Sequence, residues 1–205
     1  MDIRDDIAVA ITGASGVQYG LRLLEVLVNR TPRTHLMISG AARVVIRAET
    51  DWAIPARPAE QRAWFCDRFG VPVDRLRVYA REQWMAPLAS GSNCPRALAV
   101  CPCTMGTLGA IAAGMSDNLI EHAADVVLKE RRRLVLVVRE TPLSEIHLRN
   151  MLRLTRMGAV ILPASPGFYG NPDSVDALVD FVVARTLDQL GVAHTLMTRW
   201  SDDAV

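Results

Sequence analysis

The chain has 205 residues, of which 50% are hydrophobic and 5% aromatic, and its 23 basic residues nearly balance its 22 acidic ones. This length is enough for one α/β domain with a sizeable aliphatic core. The balanced charge, without a long basic stripe, argues against a nucleic-acid partner. No apolar run approaches the roughly 20 residues that span a bilayer, so no membrane association is expected.

The first six residues are too charged for a secretory signal, which predicts a cytoplasmic protein. The four cysteines, at positions 66, 94, 101 and 103, include no pair with two-residue spacing, and the four histidines have no spacing typical of metal ligands. We therefore expect reduced cysteines and no metal site.

Apolar runs alternate along the chain with segments of helical periodicity. We expect strands near residues 7–12, 34–38, 76–79, 97–101, 134–138 and 159–163, and helices near 17–29, 40–49, 59–69, 106–115, 118–131, 144–156 and 174–190. Continuous apolar strands indicate a sheet that is covered on both faces. The alternation predicts right-handed βαβ units, hence an α/β fold with a mostly parallel sheet. One domain over residues 1–205 is expected, with a frayed end after Trp200.

Two turns rich in small residues follow two of the apolar runs. The run at 7–12 ends in Gly13-Ala14-Ser15-Gly16 and then opens a helix, which is typical of a phosphate site. The run at 97–101 continues into a second such turn at 102–109. Together they predict one phosphorylated ligand held across the carboxyl edge of the sheet, although a plain strand–helix turn remains an alternative.

The spacing of the glycines bears on which nucleotide could bind. Glycines at 13, 16 and 20, with Ser15 between the first two, depart from the G-x-G-x-x-G pattern of dinucleotide sites. The second strand ends at Ser39 rather than at the acid that holds an adenosine ribose. Both features favour a mononucleotide such as FMN over NAD.

Several polar residues could carry chemistry, and each has a simpler interpretation. Arg139 and Glu140 follow a strand end, where they could form an ion pair or an anion clamp beside a proton donor. Lys129, the only lysine, could be a point charge or a solvated helix end. Arg185, flanked by apolar residues, could bind a ligand or extend to solvent. Tyr169 lies in a loop of Pro and Gly, and its hydroxyl could meet a ligand.

Three further residues have ordinary structural interpretations at this stage. Glu49 closes a predicted helix and is a surface acid by default. Trp84 and Trp200 are core or interface aromatics by default.

Motifs along nearly the whole chain resemble the UbiX/Pad flavin prenyltransferase family, formerly labelled aromatic acid decarboxylases. The matching segments are 12–20, 49–51, 123–132, 138–142, 158–163, 168–169 and 199–200. The resemblance implies a Rossmann-like, three-layer flavoprotein fold, with a single flavin-binding domain. It also implies a metal-independent transferase that joins a dimethylallyl group from dimethylallyl phosphate to reduced FMN. The prenylated FMN serves UbiD-type decarboxylases, and the enzymes are homo-oligomers, commonly dodecamers, with sites completed between subunits.

The same resemblance implies roles for individual residues. FMN would be bound by Gly13, Ala14, Ser15, Ser39, Thr104, Met105, Gly106, Thr107 and Arg139. The prenyl phosphate would be bound by Lys129, Glu140, Tyr169 and Arg185. Ser15, Glu49, Glu140, Trp84 and Trp200 would serve the chemistry. The chain departs from the family at Thr104, where serine is usual, and at Gly170, where histidine is common.

Two other functions remain open. One is an FMN-dependent lyase that decarboxylates a peptidyl cysteine or phosphopantothenoylcysteine, but the P-x-M-N-x-x-M-W stretch of those enzymes is absent. The other is a non-catalytic FMN carrier, which would have no need of a second phosphate site.

Overall fold

The computed structural model of the chain describes residues 3–168 and 171–197. Within them, six β-strands alternate with seven α-helices. The strands are β1 Ile7–Ile11, β2 Thr34–Ile38, β3 Leu76–Tyr79, β4 Ala97–Cys103, β5 Arg133–Val138 and β6 Val160–Pro163. The helices are α1 Val17–Arg30, α2 Gly40–Glu49, α3 Pro58–Phe69, α4 Met105–Ala113, α5 Leu119–Lys129, α6 Glu145–Arg156 and α7 Val175–Leu190. Each predicted element is present, and most boundaries lie within two residues of the prediction.

The strands form one sheet in the order β3-β2-β1-β4-β5-β6, and every neighbouring pair is parallel. The α/β fold expected from the alternation of apolar runs is therefore confirmed. The chain moves outward in one direction from β1 to β3 and in the other from β4 to β6. Such a reversal leaves a crevice at the carboxyl ends of the two central strands, which is where ligands bind in open α/β sheets.

Helices cover both faces of the sheet, which gives three layers. Because side chains alternate along a strand, Ile7, Val9 and Ile11 face a core shared with α1, α2, α3 and α7. Ala8 and Ala10 face a second core shared with α4, α5 and α6. All five are fully buried. This two-sided burial explains why the central strands read as continuous apolar runs.

Strand β4 extends two residues beyond its predicted end. Its pairing with β5 shifts register between Val100 and Cys103, around Pro102, which has no N–H to donate. The shift carries the strand to the edge where Thr104 begins α4. The sequence prediction stopped at residue 101 because proline normally ends a strand.

The cysteines lie in the interior of this framework, whereas the connecting segment 81–95 lies largely on its surface. All four cysteines are free and buried, and burial raises the pKa of the Cys103 thiol to about 12. The segment contains two short 3₁₀ helices, Pro87–Ala89 and Gly91–Asn93, anchored by the buried Leu88. Among the described residues, no helix has the length and apolar character needed to cross a membrane.

Candidate functional site

A pocket of about 270 Å³ opens at the carboxyl edge of the sheet, beside the reversal of strand order. Its walls come from the ends of β1, β2, β3 and β4 and from the start of α5. We call it the carboxyl-edge pocket. Four of the predicted FMN-binding residues line it, namely Gly13, Ser39, Thr104 and Thr107. The prediction of one ligand site across two strand ends therefore agrees with the geometry.

Three helices begin at this pocket, and the side chain that caps each one also lines it. The Oγ of Ser39, the Oγ1 of Thr104 and the Oδ1 of Asn118 accept backbone N–H groups from the first turns of α2, α4 and α5, at 3.0–3.2 Å. A helix N-terminus carries partial positive charge and attracts anions. Three such ends facing one cavity suit a ligand that carries a phosphate.

The N-terminus of α1 differs from the other three. The carboxylate of Glu49, at the end of α2, accepts the N–H of Gly16 at 2.8 Å and that of Val17 at 3.3 Å. The protein thus supplies its own anion at this helix end. The sequence predicted a phosphate site at this turn, and two of its backbone N–H groups are already occupied because the last residue of α2 lies beside the start of α1.

Contacts between β1 and β4 hold the floor of the pocket. The hydroxyl of Thr12 donates to the carbonyl of Pro102 at 2.7 Å and accepts the N–H of Thr104 at 2.9 Å. Gly13 follows, and a Cβ built on it would lie 2.5 Å from the Cβ of Ala41. Only glycine allows α2 to approach β1 this closely.

Arg139 and Glu140 leave the carboxyl end of β5, next to α4. The Nε of Arg139 is buried and has no hydrogen-bond partner among the described residues. Glu140 is exposed, and its Oε1 accepts the N–H of Thr141 at 3.1 Å. The two side chains do not form the ion pair that was one interpretation of the sequence. A buried donor without an acceptor is costly, and a bound anion would satisfy it.

These residues fit FMN on chemical grounds. The hydroxyls of Ser39 and Thr107 supply donors for a ribityl phosphate, and that of Thr104 donates to Thr107 at 3.0 Å. Arg139 supplies a positive charge with an unused donor. No acidic side chain is among the described residues that line the pocket, so an adenosine ribose would lack its usual partner.

Other predicted site residues do not line the carboxyl-edge pocket. Lys129 is at the far end of α5, roughly 16 Å along the helix, and its exposed Nζ lies 2.6 Å from the Oε1 of Glu130, which raises the pKa of the lysine. Arg185, on α7, pairs with Asp188 at 2.8 Å. Trp84 is 45% exposed and packs edge-on against His122, with ring centroids 6.0 Å apart.

The remaining predicted site residues differ in how exposed they are. Ala14 and Met105 are buried beside the pocket, and Ser15 and Gly106 are exposed at the turns that bound it. Tyr169, Trp200 and Gly170 lie outside the described residues.

Sequence reasoning missed three residues that shape the pocket. Thr12 joins two strand ends, Asn118 caps α5, and Tyr79 ends β3 with its ring on the pocket wall. Asn118 had a detectable signal, because asparagine directly before an apolar helix is a common N-cap. Tyr79 had no detectable sequence signal, because its neighbours in the sheet are distant in sequence.

Comparisons with known proteins agree with this geometry. A family model described as Flavoprotein matches residues 1–187. The flavin prenyltransferase UbiX of Pseudomonas aeruginosa is 55% identical over 196 residues, which cover 96% of this chain and 94% of that protein. The flavin prenyltransferase UbiX of Methanocaldococcus jannaschii is 44% identical over 194 residues, covering 95% and 97%.

Solved structures match as well. AnUbiX (PadA1), in complex with FMN and dimethylallyl pyrophosphate, superimposes with a TM-score of 0.85 at 44% identity, covering 97% of this chain and 98% of that one. A dodecameric FMN-dependent UbiX-like decarboxylase from Escherichia coli O157:H7 has a TM-score of 0.82 at 41% identity, covering 96% and 99%. This chain therefore belongs to the UbiX family of flavin prenyltransferases, enzymes that work with FMN.

Proposed function

We propose that this enzyme transfers the dimethylallyl group of dimethylallyl phosphate to reduced FMN in the carboxyl-edge pocket, and that the prenylated FMN supplies a UbiD-type decarboxylase. One observation carries the placement of FMN. Three capped helix N-termini, those of α2, α4 and α5, line this pocket at the carboxyl ends of the strands. The buried, unpaired Nε of Arg139, directly after the carboxyl end of β5, adds an unused donor on the same edge of the sheet. The related structure that holds FMN and dimethylallyl pyrophosphate supports the pair of substrates. The cytoplasmic location remains a prediction.

The chemistry requires a well-held leaving group. Reduced flavin supplies the nucleophilic ring atoms. We assign stabilisation of the departing phosphate to the fixed positive charges of Lys129, Arg139 and Arg185, because preorganised charges act most strongly where charge develops. Tyr169 would add a hydroxyl to the same phosphate.

We assign stabilisation of the prenyl group and the proton transfers to residues other than the three cationic ones that hold the phosphate. The aromatic faces of Trp84 and Trp200 would favour positive charge on the prenyl group. Ser15 and Glu140 would relay protons in the ring-closing step. Glu49 could contribute a proton or a negative charge to that step, in addition to holding the start of α1.

We infer that the site is completed by a second copy of the chain. Within one chain, the described lining of the pocket includes none of Lys129, Arg185 and Trp84, and Lys129 lies at the opposite end of α5. The outer side of α6 and the turn before it expose Leu143, Ile146, Leu148 and Leu152, with Ile146 at 69%. Exposed apolar residues at this density on one helix are a feature of surfaces that bind other proteins. These features support a homo-oligomer, and the dodecameric relative supports that size.

The test is a mass measurement. The protein is mixed anaerobically with reduced FMN and dimethylallyl monophosphate, and the flavin is released and weighed by mass spectrometry. We expect the flavin to gain one C5 prenyl unit. Mixtures that lack the donor or contain oxidised FMN are the controls. Unchanged flavin would support a carrier, and decarboxylation of a cysteine substrate without a change in flavin mass would support a lyase.

A further inference from the structure

Three buried polar side chains form a hydrogen-bonded array that the proposed chemistry does not use. The Nε2 of His35 lies 2.9 Å from the Oδ2 of Asp6, and its Nδ1 lies 2.8 Å from the hydroxyl of Tyr79. Asp6 and His35 are each 1% exposed, and Tyr79 is 9% exposed. The array therefore crosses the interior of the protein, and Tyr79 is its most exposed member.

The register of the sheet brings the three residues together. His35 of β2 pairs with Ala8 of β1 on one side and with Arg77 of β3 on the other. Asp6 precedes Ala8 by two residues, and Tyr79 follows Arg77 by two. Because side chains two residues apart point to the same face, all three lie on one side of the sheet. The array thus runs diagonally from the amino edge to the carboxyl edge.

The hydrogen bonds have a direction. An ionised carboxylate only accepts, so the Nε2 of His35 donates to Asp6. In a neutral imidazole the Nδ1 then accepts, so the Tyr79 hydroxyl donates to it. Burial raises the pKa of Tyr79 to about 12, which keeps the phenol protonated at neutral pH. The ring of Tyr79 is also nearly parallel to that of His35, with an interplanar angle of 15°.

Burying these three polar side chains costs free energy that apolar residues of the same volume would not cost. The Oδ1 of Asp6 is buried and has no hydrogen-bond partner among the described residues. A buried carboxylate with incomplete partners destabilises a fold, and apolar residues of similar volume are often as stable or more so. Stability alone therefore does not explain these residues.

The far end of the array reaches the carboxyl-edge pocket. Tyr79 lines that pocket together with Ser39 and Thr104. The hydrogen bond between its hydroxyl and His35 restrains the χ1 and χ2 torsions of the tyrosine side chain. We propose that Tyr79 contacts FMN and that His35 is a positioning residue that fixes the tyrosine ring against the flavin. This inference rests on the proposed placement of FMN in the carboxyl-edge pocket.

Two substitutions of His35 separate positioning from stability. The amide of asparagine can occupy the place of the imidazole Nδ1, so His35→Asn retains a partner for Tyr79 and removes that of Asp6. The longer glutamine amide reaches the place of Nε2, so His35→Gln retains the contact with Asp6 and removes that with Tyr79. Both replacements are neutral and polar, and the pair is therefore matched.

The probes are FMN affinity, measured by quenching of flavin fluorescence, and the thermal midpoint of the flavin-free protein. We expect Tyr79→Phe and His35→Gln to raise the Kd for FMN about three- to tenfold, as for a neutral hydrogen bond, with His35→Asn within about twofold of the native protein. Stability should follow the opposite order, with His35→Asn the less stable of the two because Asp6 is left unpaired. The double variant Tyr79→Phe/His35→Gln should bind FMN no worse than either single variant.

The same titrations can overturn the proposal. If FMN affinity is unchanged in Tyr79→Phe and His35→Gln, or falls in the same order as stability, the array is only structural. Ser39→Ala tests the placement of FMN separately. Weaker FMN binding in Ser39→Ala with no effect at Tyr79 would overturn only the role of Tyr79, whereas no effect at Ser39 would overturn both.

Discussion

Arg139 carries a buried side-chain donor that a bound anion would satisfy. It leaves the end of β5 with a buried Nε that has no acceptor among the described residues. Leaving a buried donor unpaired costs about 1–3 kcal/mol, and hydrogen bonds to charged groups are stronger than neutral ones. An anionic ligand would remove that cost. Binding and local stability should therefore be coupled at this position.

We expect Arg139→Lys to weaken FMN binding by roughly tenfold or more, because lysine keeps the charge but lacks the planar set of guanidinium donors. Isothermal titration would measure the effect. Arg57→Lys is the matched control, because Arg57 is exposed on the surface and lies 3.4 Å from the exposed Glu60. Equal FMN affinity in Arg139→Lys and the native protein would contradict a specific role for the guanidinium.

The helices α1, α2, α4 and α5, which start around the carboxyl-edge pocket, differ in how their N-termini are satisfied. Those of α2, α4 and α5 carry neutral caps and face the pocket, whereas that of α1 is held by the Glu49 carboxylate. One internal anion at α1 leaves three helix ends to attract an external one. The Gly13 turn permits close packing against Ala41, and the N–H groups of Gly16 and Val17 that follow it already have an internal anion.

Glu49 accepts two backbone N–H groups at the start of α1, so substitutions at this position should affect stability and turnover to different extents. Glu49→Ala should lower the free energy of unfolding by about 0.5–2 kcal/mol, as for loss of an N-cap, and Glu49→Gln by less, because the amide oxygen can still accept. Urea unfolding of the flavin-free protein would measure both. If Glu49 also takes part in the chemistry, Glu49→Gln should lose turnover while it keeps most of its stability. Native turnover in Glu49→Gln would limit Glu49 to its capping role.

Two of the residues assigned to the prenyl phosphate, Lys129 and Arg185, do not line the carboxyl-edge pocket of their own chain. Lys129 and Arg185 are exposed, and each is paired with an acid of its own helix end or turn. In a homo-oligomer a neighbour's pocket could bring a phosphate to them. The exposed apolar residues of α6 offer a surface through which copies could associate.

Mixed oligomers test this arrangement. Lys129→Ala and Arg139→Ala should each be inactive alone, and Lys129→Ala should still bind FMN. If a site combines Arg139 of one copy with Lys129 of another, coexpression of the two variants should restore activity in about a quarter of the sites, because both halves are intact in that fraction. Restored prenylation, measured by flavin mass, would support shared sites. No restoration, in mixed oligomers verified by two affinity tags, would place both residues in one copy's site.

The elements were predictable from sequence because their signals are local. Apolar runs and helical periodicity depend on residues a few positions apart, and they located all the described strands and α-helices but none of the short 3₁₀ helices. The glycine turn after β1, the absence of an acid after β2 and the hydroxyls of Ser39 and Thr104 also lie within short segments. These features were enough to predict a nucleotide-binding α/β protein and, through the family motifs, its class of enzyme.

Tertiary structure decided what depends on contacts between distant segments. Glu49 reaches Gly16 across 33 positions, and His35 joins Asp6 and Tyr79 across 29 and 44. No local pattern encodes these contacts, because they follow from strand register and from the return of one helix to the start of another. The amino-acid sequence by itself therefore determined the fold class and the flavin chemistry, whereas the folded sheet determined which helix ends remain free for an anion and which side chains are held against the pocket.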